Sequence, residues 1–109
     1  MWLCVMGCKR EHLMESIEPE KIAAAAEALK AIANDRRLHI LCVLLEGKMN
    51  VSELQEETGI SQSNLSQHLA KMRTLGVLTC EREGKQAYYS IAHPAYRNII
   101  QALKEIFCP

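Results

Sequence analysis

Between Asn50 and Ile91 the apolar spacing changes period once, and that change constrains the fold more than any other feature of the chain. "NVSELQEETG" reads as a short helix. The Asn50 side chain can cap the backbone while Glu53 reaches back, as in a capping box. Gly59 suits the left-handed turn that follows a helix. Ser61 then caps another helix, which runs to about Thr74. Two helices joined by a tight turn at Gly59-Ile60 make a helix-turn-helix. After Gly76 strict alternation takes over: "VLTCER" and "QAYYSI" flank "EG", the pattern of a two-stranded hairpin.

The segments on either side are helical. Pro19 sits at a first helical position ahead of "EKIAAAAEALKAIA", whose alanines favour helix and allow close packing against a partner. Asn34 or Asp35 can cap a second helix, "RRLHILCVLLEG", ended by Gly47. Its Leu38, Leu41, Cys42 and Leu45 fall at i, i+3, i+4 and i+7, which predicts one shared apolar face. Pro94 opens a last helix in which Ile99, Leu103, Ile106 and Phe107 lie near one face. The predicted order is helix, helix, helix, helix, hairpin, helix. That is a mainly α winged helix-turn-helix with a small β-hairpin over residues 17–109, preceded by an N-terminal extension at residues 1–16.

A winged helix places the second helix of its motif in the DNA major groove and the hairpin tip near the phosphates. The helix starting at Ser61 suits that role. Ser61, Gln62, Ser63, Ser66 and Gln67 share one side, and Leu65, Leu69 and Met72 share the other. Small polar side chains approach base edges and phosphates closely, donating and accepting hydrogen bonds. An ordinary solvated face would also be polar, but such a face usually carries more charge. Lys71 extends the contact surface, and Arg82 and Lys85 supply cations on the wing. His68, beside Leu69, can reach DNA or hydrogen-bond inside the protein.

Charge is neutral over the 109 residues but unevenly spread. From Glu11 to Lys30 there are five acids and two bases; from Ile60 to Tyr89 there are four bases and two acids. A symmetric dimer doubles the local basic excess on one face. No apolar run is long enough to span a membrane, and "MWLCVMGC" is too short and cysteine-interrupted for a signal peptide, so a cytoplasmic protein is expected. In that reducing compartment the five cysteines, an odd number, read as free thiols rather than a disulfide framework. His12, His39, His68 and His93 are scattered with no nucleophile–base constellation, so no enzyme and no cofactor is expected.

"LKAIANDRRLHIL", "VSELQEETGISQSNLSQHLAKMRTLGVL" and "REGKQAYYSI" together resemble the ArsR/SmtB family of dimeric winged-helix repressors. The resemblance covers about residues 20–109. It implies a homodimer built mainly from the first and last helices, bound to double-stranded operator DNA of two-fold symmetry and released by an effector. One family metal site uses Cys-x-Cys at the start of the third helix, where this chain has "NVSELQ"; another uses Asp and His ligands along the last helix, which here offers His93 and no second histidine. Cys42 in "ILCVLLEG" and Cys108 in "IFCP" are similar instead to the thiol-based branch, which senses persulfides and other oxidants. The resemblance thus implies reactive sulfur as effector, with Cys42 and Cys108 as the reacting pair. Two alternatives stand beside it: a soft-metal sensor using Cys4 and Cys8 for cadmium, zinc or lead, and a winged-helix module that binds protein. Free cysteine is also a common buried residue, and Cys42 lies on an apolar face. His39, one turn before Cys42, favours a thiolate there if the two are close. Cys80, in phase with Leu78, reads as structural.

Overall fold

The computed structural model describes residues 18–108. Cys4, Cys8, His12 and the expected extension at residues 1–16 lie outside them. Helix α1 (Pro19–Ile32) begins with Pro19, whose missing N–H costs nothing at a helix start, and buries Ala28, Ala31 and Ile32. Asn34 then turns the chain into α2 (Asp35–Leu44): its side-chain oxygen accepts from the backbone N–H of Arg36 at 3.0 Å and of Arg37 at 3.1 Å.

The predicted apolar face of α2 does pack on the core, but the buried arc extends beyond it. Leu41 is fully buried with Ile40 and Leu44, whereas Leu38, Cys42 and Leu45 are half-buried. The reason is that α2 is central. It packs against α1, the third helix, the last helix and the sheet, so its buried arc is wider than one i/i+4 row.

Strand β1 (Met49–Asn50) follows, then α3 (Val51–Thr58), α4 (Gln62–Thr74), β2 (Leu78–Glu83), β3 (Gln86–Ile91) and α5 (Pro94–Phe107). The capping box at α3 is formed, with Glu53 N–H donating to Asn50 Oδ1 at 2.8 Å and Asn50 N–H donating to Glu53 Oε1 at 3.0 Å. Gly59 takes φ +74°, the left-handed conformation that lets α4 leave α3 at a sharp angle. Strands β2 and β3 pair antiparallel from Leu78 opposite Ile91 to Glu83 opposite Gln86.

The winged helix expected from the sequence is therefore present, with one addition. β1 pairs with β3 at Met49–Tyr89 and Asn50–Tyr88, giving a three-stranded sheet in the order β1-β3-β2. Two residues carry no periodicity, so the hairpin alone was legible. The core gathers α2, α3 and α4 over the inner end of the sheet, with Leu44, Leu54, Leu65, Val77 and Ile100 among its fully buried side chains. Among the described residues no helix is long and apolar enough to cross a membrane.

Candidate nucleic-acid interface and thiol pair

Helix α4 is divided cleanly. Leu65, Leu69 and Met72 are buried, and Gln62, Ser63, Ser66, Gln67 and Lys71 are exposed. Ser61 is exposed at the N-cap, its hydroxyl accepting from Asn64 N–H at 3.4 Å. The exposed row thus begins at a helix N-terminus, whose free N–H groups favour anions such as phosphate. His68 stands apart from that row. Its ring is half-buried, and Nδ1 accepts from Arg37 Nε at 3.2 Å, while Arg37 Nη1 reaches the Ala31 carbonyl at 3.4 Å. Burial, and then the Arg37 charge, hold His68 below the ordinary histidine value of 6.5. The ring is therefore a neutral acceptor tying α4 to α2.

On the wing, Arg82 and Lys85 are exposed beside the turn, and Arg82 Nη1 donates to the Lys85 carbonyl at 3.4 Å. Lys48 adds a cation the motif reading missed. It pairs with Glu83 and lies 5.4 Å from the centre of the Tyr88 ring. No motif marks it, because its place beside the wing depends on the two-residue strand β1.

Cys42 and Cys108 come from different elements. Cys42 is half-buried on α2; Cys108 is exposed and ends α5, its N–H donating to the Lys104 carbonyl at 2.7 Å. The two helices pack together, and Arg97 of α5 donates to the Leu45 carbonyl at the end of α2. Burial pushes the Cys42 thiol above its ordinary range; the Lys104 ammonium pulls it back, and the Cys108 thiol pushes it up again. Both α5 groups are therefore near enough for their charge to act on Cys42. Lys104 had no marker in the sequence, since its effect requires α5 to lie against α2.

The outer side of Cys42 opens into a shallow cavity of about 440 Å³, lined by His39, Cys42, Val43, Glu46, Met49 and Glu57. His39 does share this wall with Cys42. Cys80 is half-buried opposite Tyr89, and burial followed by the adjacent Cys80 raises the Tyr89 hydroxyl. His93 caps α5, its Nδ1 accepting from Ala95 N–H at 3.0 Å. Among the described residues no three His, Cys, Asp or Glu side chains are grouped to hold a metal ion.

Residues 34–79 match the family described as "Bacterial regulatory protein, arsR family". The transcriptional activator HlyU of Vibrio cholerae is 40% identical over 92 residues, covering 84% of this chain and 85% of that protein. Its solved structure aligns with a TM-score of 0.79 at 37% identity, over 84% of this chain and 100% of that one. The structure of reduced HlyU aligns at 0.76 and 38% identity, over 83% and 95%. The crystal structure of the transcriptional repressor BigR from Xylella fastidiosa aligns at 0.76 and 32% identity, over 92% and 97%. The homodimeric winged helix-turn-helix DNA-binding domain Mb0332 from Mycobacterium bovis aligns at 0.73 and 29% identity, over 84% and 87%.

Proposed function

The chain belongs to the ArsR family of bacterial regulatory proteins, and from that premise we propose that it is a homodimeric cytoplasmic repressor whose hold on operator DNA is broken when Cys42 and Cys108 react with persulfides or related oxidants. Like its relatives, it is a transcriptional regulator and not an enzyme. The observation that carries the finer reading is that α5 packs on α2 with Cys108 at its end, near enough for that thiol to act on Cys42. The separate structure of reduced HlyU agrees with it, since that relative has a redox state worth distinguishing. DNA is met by Ser61, Gln62, Ser63, Ser66, Gln67 and Lys71 on α4, with Arg82 and Lys85 on the wing.

The chemistry needs two thiols and no metal. The Cys42 thiolate attacks the outer sulfur of a persulfide R–S–SH; its Sγ gains that sulfur and R–S⁻ leaves. The Cys108 thiolate then attacks Cys42 Sγ and expels hydrosulfide, closing a disulfide. If a second persulfide first lengthens the Cys42 chain by one sulfur, attack at the middle sulfur leaves a trisulfide and expels hydrosulfide in the same way. Either bridge covalently fixes the end of α5 to α2. α5 is also a proposed dimer helix, so fixing it shifts one α4 relative to its partner across the two-fold axis.

The test is operator binding before and after persulfide treatment, with the bridge followed by mass spectrometry. Cys42→Ser and Cys108→Ser each bind operator as the parent does and fail to release it. Cys80→Ser behaves as the parent, and Cys4→Ser or Cys8→Ser has at most a partial effect. Full response of the Cys108→Ser protein overturns the reading. Release of the parent by cadmium or zinc alone, lost in Cys4→Ser or Cys8→Ser, establishes a metal sensor instead.

A further inference from the structure

We propose that the cavity outside Cys42 selects the sulfur donor by charge, admitting neutral and cationic reagents and turning away anionic ones. This rests on the reading that Cys42 is the attacking thiol. Helix geometry sets His39 and Cys42 at i and i+3 on one face of α2, and Glu46, in the turn just past the helix end, lines the same cavity. α3 brings Glu57 to the same wall, and Val43 and Met49 supply its apolar part. A volume of about 440 Å³ accommodates many small disulfides and persulfides, so size discriminates little.

Charge does discriminate. Glu46 and Glu57 are exposed carboxylates that line the cavity together with the exposed His39 imidazole. The balancing cation, Lys104, belongs to α5, and Cys108 is the C-cap of that helix. Lys104 favours the Cys42 thiolate but is not among the residues that line the cavity, whereas both carboxylates are. β1 contributes Met49 and no charge. An anionic polysulfide, or a persulfide on a peptide bearing several carboxylates, meets two like charges before its sulfur reaches Sγ. A neutral persulfide meets none.

Symmetric disulfides isolate this effect, because their chemistry is common and their charge is not. The Cys42 thiolate attacks one sulfur of R–S–S–R, the Sγ–S bond forms, the S–S bond breaks, and R–S⁻ leaves to be protonated by solvent. Cys42 is oxidised and one reagent sulfur is reduced. The experiment uses the reduced full-length Cys108→Ser protein, which stops at the mixed disulfide. Cys42 modification is timed by peptide mass mapping with cystamine (cationic), 2-hydroxyethyl disulfide (neutral) and dithiodiglycolate (anionic). Rates are taken relative to the same chain in denaturant.

At low salt the cationic reagent outruns the anionic one by about tenfold or more beyond the unfolded ratio, with the neutral reagent between. At about 1 M salt, where the screening length falls to about 3 Å, the spread closes. Glu46→Gln with Glu57→Gln closes it at low salt too; both positions are exposed, so urea midpoints confirm an intact fold. Equal or faster reaction of the anionic reagent overturns charge selection, as does an unchanged spread in the double variant. Persulfide release of the parent from DNA, run alongside, separates the two readings. Release with the charge order reversed sinks charge selection alone, whereas no reaction at Cys42 with any reagent sinks both.

Discussion

Helices α4 and α5 are both amphipathic and nearly equal in length, 13 and 14 residues, yet they meet opposite fates. α4 closes its apolar side inside the chain: Leu65, Leu69 and Met72 are at most 1% exposed, covered by α1, α3 and β2. α5 rests on α2 and β3 and fully buries Ile100, while Ile99, Ile106 and Phe107 remain 38%, 66% and 76% exposed. Ile22 and Leu29 of α1 are over half exposed as well. One helix uses its apolar side to hold its polar side rigidly outward. The other keeps an apolar side in reserve, which is what a surface made for a second copy looks like.

The sharpest way to break the comparison is to charge the open face. Under the proposed dimer, Ile106→Asp is doubled by two-fold symmetry. Each buried isoleucine contributes about 1.5–3 kcal/mol, so dimerisation weakens by about 3–6 kcal/mol. Sedimentation across a concentration series shows a monomer at micromolar concentration with helical content retained, and operator affinity falls with it. An unchanged dimer mass would leave the apolar face of α5 without the role given to it.

The closed face responds differently. Leu65→Ala removes a side chain that is 0% exposed and leaves a cavity, costing about 2–5 kcal/mol of folding stability. Stability of the monomeric Ile106→Asp background, read by urea midpoint, carries this loss without dependence on protein concentration. A loss confined to the dimer would mean that α4 is held by the partner rather than by its own chain.

The polar side of α4 comes next in size. If Gln67 reads a base, Gln67→Ala costs about 1–3 kcal/mol on the operator and much less on unrelated DNA. Lys85→Ala weakens all sequences alike and reduces the salt slope of binding by about one. Titrations on operator and random duplex at several salt concentrations distinguish these. Equal loss on both duplexes for Gln67→Ala would make that side a backbone contact without base reading.

What could be read from the sequence follows the same division. The α3–α4 turn and the wing were legible because each depends on neighbours in sequence: the Asn50–Glu53 capping box, Gly59 at positive φ, and alternation through β2 and β3. The apolar face of α2 was legible, but the full burial of Ile40 and Leu44 beside it was not, because it depends on four separate elements packing around the helix. β1 was invisible for the same reason, as its strand character exists only opposite Tyr88 and Tyr89. At the thiols the family resemblance pointed to Cys42 and Cys108, but Lys104 acts on Cys42 only with α5 in place, and Glu57 joins the cavity wall only through α3.

The smallest effect tests the one polar residue of α4 that faces inward. His68 accepts from Arg37, so its folded form is neutral, and burial together with Arg37 and Arg36 keeps it below 6.5 while Asp35 opposes them weakly. A depressed value means that folding favours the unprotonated ring. That contribution is complete above the unfolded value near 6.5 and fades as pH falls through it toward the lower folded value. The ring is half exposed, so solvent screens the effect and the loss is modest. The side-chain amide introduced by His68→Gln can still accept from Arg37 through its oxygen but does not titrate. Urea midpoints measured from neutral to about pH 5 therefore fall less steeply for His68→Gln than for the parent. Operator affinity at neutral pH changes little, because the ring serves the α2–α4 contact and not the groove. A drop in operator affinity as large as that of Gln67→Ala, with an unaltered acid slope, would instead put His68 with the residues that face DNA.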